Sequence, residues 1–302
     1  MIGHAWQRRG DDMAGHLIPA WAIDRYTGAP SPSKVTQAKS LHNSIRDVLG
    51  SGYETFLQGS YRNDTGVADI NDVDIVAIHK DVTSTHFTGL TFDRYVSWDT
   101  VFLSIRDLLE DSPYYNGKTE LGDKCITVHT DFRADVVPAV RIGDVESDPI
   151  SVYSWRAQAE RKNYPRDHYE NNVFKQAATN DQYKPTVRMF KQWARNWFSG
   201  TKVAPSFYVE CLVYNTPNGL FSNDPVVTFM DIADHIEQNV NQYTYLPSVA
   251  GDKDILTESE WPLADFLQFQ QRLEESVLYV QWALIATDTA EATRRWKKAF
   301  NE

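Results

Sequence analysis

The sequence predicts an α+β chain of two packed lobes, a mixed sheet with covering helices followed by a mostly helical region. Three observations carry that expectation. Short strand-like runs (YETFLQ, VDIVAI, DKCITVHTD and FRADVVPAVRI) all fall in the first half of the chain and are interleaved with helix-periodic stretches. From about Trp155 the texture changes to helical spacing, aromatic residues and basic charge. The chain has 302 residues, 42% hydrophobic and 13% aromatic, which suffices for one large core or two modest ones. The expected division is a sheet-bearing core at 33–154, with 1–32 packing on it, and a helical lobe at 155–302 that completes a cleft.

Residues 1 to 31 read as a loosely patterned segment ending in GAPSPS, and a helix is expected from near Ser33. Its apolar positions Val35, Ala38, Leu41, Ile45 and Val48 are three or four residues apart, and Gly50 and Gly52 close it. YETFLQ follows as a strand, then a Gly-Ser turn, a polar connection and the strand VDIVAI. A helix over residues 93 to 110 precedes the two tightly joined strands DKCITVHTD and FRADVVPAVRI. In YKPTVRMFKQWARNWF, Pro185 suits the first turn of a helix, and Val187, Phe190, Ala194 and Trp197 form an apolar stripe. APSFYVECLVYNTP reads as a buried helix, and residues 261 to 300 add at least two more.

The formal net charge is −11, which argues against a long nucleic acid as a stable partner, because that affinity comes largely from phosphate neutralisation. A pocket lined locally by Lys and Arg can still hold a small polyphosphate. There is no apolar run of eighteen residues and the start lacks the apolar centre of a secretion signal, so no membrane association and a cytoplasmic location are expected. Cys125 and Cys211 lie in apolar surroundings without zinc-ligand spacing and read as buried thiols.

The chemistry concentrates in the aspartates. Side chains two apart on a strand share a face, so Asp72 and Asp74 project together, and such a pair is repulsive unless a cation compensates it. Asp135, in the apolar run ADVVPAV, supplies a third carboxylate if its strand lies beside VDIVAI. Three such carboxylates suit Mg²⁺, which favours a few carboxylates with phosphate oxygens and water. Asp72 as a turn cap and Asp135 as a satisfied buried carboxylate are the bland alternatives, and Asp69 and Asp131 read as turn residues. Gly59 lets the backbone approach phosphate oxygens, and the amide and hydroxyl of Ser60 can donate to them.

A Gly-Ser followed by Asp-x-Asp and a distant Asp resembles the polymerase-beta-type nucleotidyltransferase superfamily. LQGSYRNDT, NDVDIVAI, RADVVPAV, YKPTVRMFKQW and APSFYVECLVYNTPN together resemble the bacterial cGAS/DncV-like nucleotidyltransferases of antiphage signalling, over roughly residues 33 to 225. The resemblance implies a two-lobed fold with its catalytic core at 33–154. It implies nucleoside triphosphate substrates, a cyclic or short linear oligonucleotide product that reaches a downstream effector, and two Mg²⁺ ions (or Mn²⁺). Asp72, Asp74 and Asp135 would be the catalytic metal triad, Gly59 and Ser60 the phosphate turn, and Lys191 and Ser206 the contacts to the donor triphosphate. Many relatives carry Gly where Asp64 stands before Thr65, which bears on the turn geometry.

The residues agree in part with that assignment. From Arg156 to Lys202 there are ten Lys or Arg against four Asp or Glu. Lys184, Arg188, Lys191 and Arg195 recur at helical spacing off the apolar stripe, either as a solvated face or, at least for Lys191, as a nucleotide-facing one. Ser206 after Pro205 suits a helix cap or a phosphate contact. Tyr61, Arg62 and Tyr183 are candidates for stacking or lid contacts, while His129 and His168 carry no assigned role. Transfer of nucleotides to RNA ends or to a protein, and a non-catalytic nucleotide-binding protein of the same fold, stand as alternatives.

Overall fold

The computed structural model describes residues 15–87, 96–142, 149–239 and 245–302. Helix α1 (Ala20–Thr27) precedes α2 (Pro32–Leu49), which starts where the Ser31 hydroxyl accepts from the Lys34 N–H at 3.4 Å and Pro32 fills the first turn. Strand β1 (Tyr53–Gln58) runs without a break into the one-turn helix α3 (Gly59–Asn63), and β2 (Asp72–Thr83) follows. Helix α4 (Trp98–Asp111) is capped by Ser97, whose hydroxyl accepts from the Thr100 N–H at 3.3 Å. It fills the helix expected over 93 to 110, of which residues 93–95 lie outside the described residues. Strands β3 (Thr119–Leu121), β4 (Ile126–Val128), β5 (Arg133–Arg141), β6 (Ile150–Ser154) and β7 (Ala159–Asn163) complete the sheet.

The sheet order is β1-β2-β5-β4-β3, with β6 on the distal half of β5 and β7 beyond it. β2 and β5 are parallel and the other described pairs antiparallel, so the chain crosses over through α4, β3 and β4 between them. Strand alternation divides the faces. Val73, Ile75, Ala77, Ala134 and Val136 pack into the core with Ala38, Ile45, Phe102 and Ile105 of α2 and α4. The opposite face carries Val76, Ile78 and Ala139 toward its far end, and by the two-residue period Asp72, Asp74 and Asp135 at the near end.

The helical part comprises α5 (Pro165–Ala178), α6 (Tyr183–Trp197), α7 (Ser206–Tyr214), α8 (Pro225–Asn239), α9 (Leu263–Leu284) and α10 (Thr289–Ala299). Trp193, Trp261, Trp296, Phe229 and Phe269 are fully buried in its aromatic core. Helix α1 departs from the expectation for residues 1–32, because Ala22, Ile23 and Tyr26 insert into this helical core. Tyr26 stacks on Phe300 with ring centroids 3.8 Å apart, and Trp296 donates its indole N–H to the Ala22 carbonyl at 2.9 Å. Three apolar residues on one face of a two-turn helix need a covering partner, and α2 and α4 already occupy the sheet face. The sheet also runs past Trp155, since β7 pairs with β6 as far as Asn163.

Candidate active site

Sheet register builds the centre of the site. On one side of β2, Gln58 faces Asp74; on the other, Asp74 faces Asp135 and Asp72 faces Arg133. The parallel pairing therefore places the two aspartates of β2 and the one of β5 on a common face, beside the residue at which β1 turns into α3. Gly59 makes that turn at φ +63°, and a Cβ there would lie 2.3 Å from Asp74 Oδ2. The glycine is required twice, by its left-handed backbone and by the carboxylate beneath it.

A single guanidinium nitrogen of Arg133 lies 3.0 Å from Asp72 Oδ2 and 3.1 Å from Asp135 Oδ2. Those two oxygens are therefore no farther apart than about 6 Å, the sum of the two distances. Thr127 donates to the other oxygen of Asp135 at 2.7 Å. Burial, with the charges of Asp72 and Asp135 beside it, pushes the Asp74 carboxyl up to about 7. Among the described residues no three acidic, His or Cys side chains stand close enough together to hold one ion as they are. The donor set nonetheless fits a hard divalent cation: all oxygen, three carboxylates on one face, one of them buried beside the other two.

The turn is fixed from behind. Thr65 N–H donates to the Ser60 carbonyl at 3.0 Å, and Asp64 closes α3 in the left-handed region at φ 55°, ψ 37°. Asp64 therefore holds a left-handed turn, which Asp tolerates better than most residues.

The four basic residues of α6 do not form a solvated face. Arg188 and Lys191 are buried, and each of the four meets the 64–69 segment. The Lys191 ammonium donates to Glu210 Oε2 at 2.5 Å and to Thr65 Oγ1 at 3.1 Å. Ser206 stands exposed in the first turn of α7 and makes no capping hydrogen bond. Tyr183 is buried and donates to Asn172 Oδ1 at 2.5 Å, which removes it from any stacking role. Arg62 lies between the Phe56 and Tyr169 rings, and Tyr61 packs edge-on against Phe132. His129 pairs with Glu120 at the surface.

A cleft opens beside the turn, lined by Gln58, Gly59, Arg62 and Asn63 on one side and by Asn163, Tyr164, His168, Phe207, Ser248 and Lys253 on the other. Beneath it Glu210 is buried and accepts from Asn63, Thr65, His168, Asn172 and Lys191. Sequence reading passed over Arg133, Thr127 and Glu210. Arg133 was findable, since R-x-D on a strand puts both side chains on one face. So was Glu210, a lone acid in the apolar helix SFYVECLVY.

This architecture is that of a two-lobed nucleotidyltransferase of the polymerase-beta type. Residues 170–277 match the cGAS/DncV-like nucleotidyltransferase C-terminal helical domain. The chain is 32% identical over 248 residues to the cyclic UMP-AMP synthase of Rhodothermus marinus, covering 73% of this chain and 84% of that one. It is 30% identical to a cyclic nucleotide synthase of Staphylococcus haemolyticus, covering 68% and 80%. The Rhodothermus marinus c-UMP-AMP synthase solved with Apcpp and Upnpp superposes with a TM-score of 0.72 at 26% identity, over 88% of this chain and 97% of that one. The chain belongs to the cGAS/DncV-like nucleotidyltransferase family, enzymes that join nucleotides into cyclic second messengers for antiphage defence.

Proposed function

We propose that this enzyme condenses nucleoside triphosphates, in the cleft beside Gly59, into a cyclic or short linear oligonucleotide with release of pyrophosphate. The observation that carries the reading is the register of β2 against β5, which sets Asp74 beside Asp135 and Asp72 one step away, next to a glycine turn. Asp72, Asp74 and Asp135 would hold Mg²⁺ or Mn²⁺, which when bound supplies the charge that activates a ribose hydroxyl and steadies departing pyrophosphate.

The chain's own groups do the rest. Gly59 and Ser60 offer a backbone amide and a hydroxyl to phosphate oxygens. Asp135, which accepts a hydrogen bond from Thr127, would help to activate the attacking hydroxyl. Lys191 lies close enough to act on the charge of Asp74. In this reading it supports the turn through Thr65 and the triphosphate through its field, and Ser206 contributes its exposed hydroxyl at the helix start. Phe207 and Tyr164 offer aromatic surface to a base at the cleft wall. The product would act through a separate effector.

Incubation with Mg²⁺ and labelled triphosphates, singly and in pairs, should yield a phosphatase-resistant oligonucleotide. Asp72→Asn with Asp74→Asn should lower the rate at least about a thousandfold while the circular dichroism spectrum is retained. Transfer only to added RNA or protein, or turnover surviving the double substitution, would rule this reading out.

A further inference from the structure

The basic face of α6 runs along the segment that follows the phosphate turn, and its residues meet that segment in order. Lys184 Nζ lies 3.6 Å from Asp64 Oδ2. Arg188 Nη1 donates to the Asp64 carbonyl at 2.8 Å and lies 3.9 Å from Asp64 Oδ1, while its Nε donates to the Thr27 carbonyl at 2.7 Å. Lys191 bonds Thr65, and Arg195 pairs with the Asp69 carboxylate. Arg188 is only 8% exposed, so a counter-charge matters to it far more than at a solvated surface.

Asp64 is also the hinge of the turn. Its N–H donates to the Ser60 and Tyr61 carbonyls, and it holds a left-handed backbone that is costly for a residue other than glycine. Gripping its carbonyl and its carboxylate from the same helix fixes the α3 turn against the helical lobe. We propose that Asp64, with Lys184 and Arg188, is a charged clamp that positions the Gly59–Ser60 turn for a nucleoside triphosphate, so that Lys184 and Arg188 act through the turn. The proposal rests on the reading of Gly59 and Ser60 as the phosphate-binding turn. Asp64, Lys184 and Arg188 are positioning residues: none is assigned a contact with the reacting atoms.

The test uses Asp64→Asn, which removes the charge but tolerates the backbone, Asp64→Gly, which relaxes the backbone as well, and Lys184→Met. Amide exchange of residues 59–69 is followed without nucleotide. Affinity for non-cleavable triphosphate analogues with Mg²⁺ is followed by calorimetry, and KM and kcat by initial rates. The clamp predicts faster exchange confined to 59–69 in both Asp64 variants. It further predicts Kd and KM raised about five- to tenfold with kcat within about twofold, and little additional effect of Lys184→Met on top of Asp64→Asn. Unchanged exchange and Kd in both Asp64 variants, or a fall in kcat with Kd unchanged, would overturn it. Should the wild-type protein bind no triphosphate analogue, the reading of the turn fails, and the exchange measurement still decides whether the clamp exists.

Discussion

Arg133 and Gly59 show how single positions set the carboxylate face. Arg133 faces Asp72 across the β2–β5 pair and lies within ion-pair distance of both Asp72 and Asp135, so it is their counter-ion and would compete with a metal ion proposed for the same oxygens. Arg133→Gln should therefore tighten Mn²⁺ binding, by about fivefold in electron paramagnetic resonance titrations at moderate salt, and lower the melting temperature in EDTA. Weaker Mn²⁺ binding would show instead that Arg133 helps to hold the metal-loaded state. Gly59→Ala tests the opposite kind of constraint, because the new methyl would displace the Asp74 carboxylate and strain a backbone at φ +63°. A displacement of that size should cost about a hundredfold in kcat/KM and about 1–2 kcal/mol in urea unfolding. An active, equally stable Gly59→Ala enzyme would mean that Asp74 need not lie where it does.

At the scale of elements, the parts legible in sequence were those in which one periodicity dominates. VDIVAI and RADVVPAV are near-continuous apolar runs because β2 and β5 are central strands, and their carboxylates stood out as charges set in such runs. The hairpin of β6 and β7 was not legible, since AERKN is a polar edge strand whose only described strand partner is β6. Helix α1 was missed for a related reason: eight residues carry too few turns to show a period, and their partners are distant in sequence, as with Trp296 and Ala22. The basic stripe of α6 was visible as a stripe, but the charges it meets sit on a loop, where no period announces them. Trp296 tests the corrected placement of α1. Trp296→Ala removes a fully buried ring and the bond to Ala22, and should cost about 3–5 kcal/mol in denaturant unfolding. It should also speed amide exchange in α1 while leaving α2 protected; the reverse pattern would place α1 with the sheet.

For the molecule as a whole, Glu210 joins the lobes. It accepts from Asn63 and Thr65 beside the turn, from His168 and Asn172 of α5, and from Lys191 of α6, so a single buried carboxylate ties three segments distant in sequence. Burial alone would raise its pKa, but the Lys191 charge and the His168 bond outweigh that and hold it far below the ordinary carboxylate range. An unfolded Glu titrates near about 4.3, so the native state here binds fewer protons than the unfolded state below that pH. The contribution of Glu210 is then fully present above about pH 5 and is lost progressively as the solution is acidified through and below about pH 4. Glu210→Gln should cost about 3–5 kcal/mol at pH 7, because it leaves the Lys191 ammonium buried without its counter-charge. That penalty should shrink when the same urea unfolding is repeated near pH 3.5, where wild-type stability itself has fallen. An equal penalty at both pH values would mean that Glu210 serves as a neutral hydrogen-bond acceptor, and that the tie between the lobes does not depend on its charge.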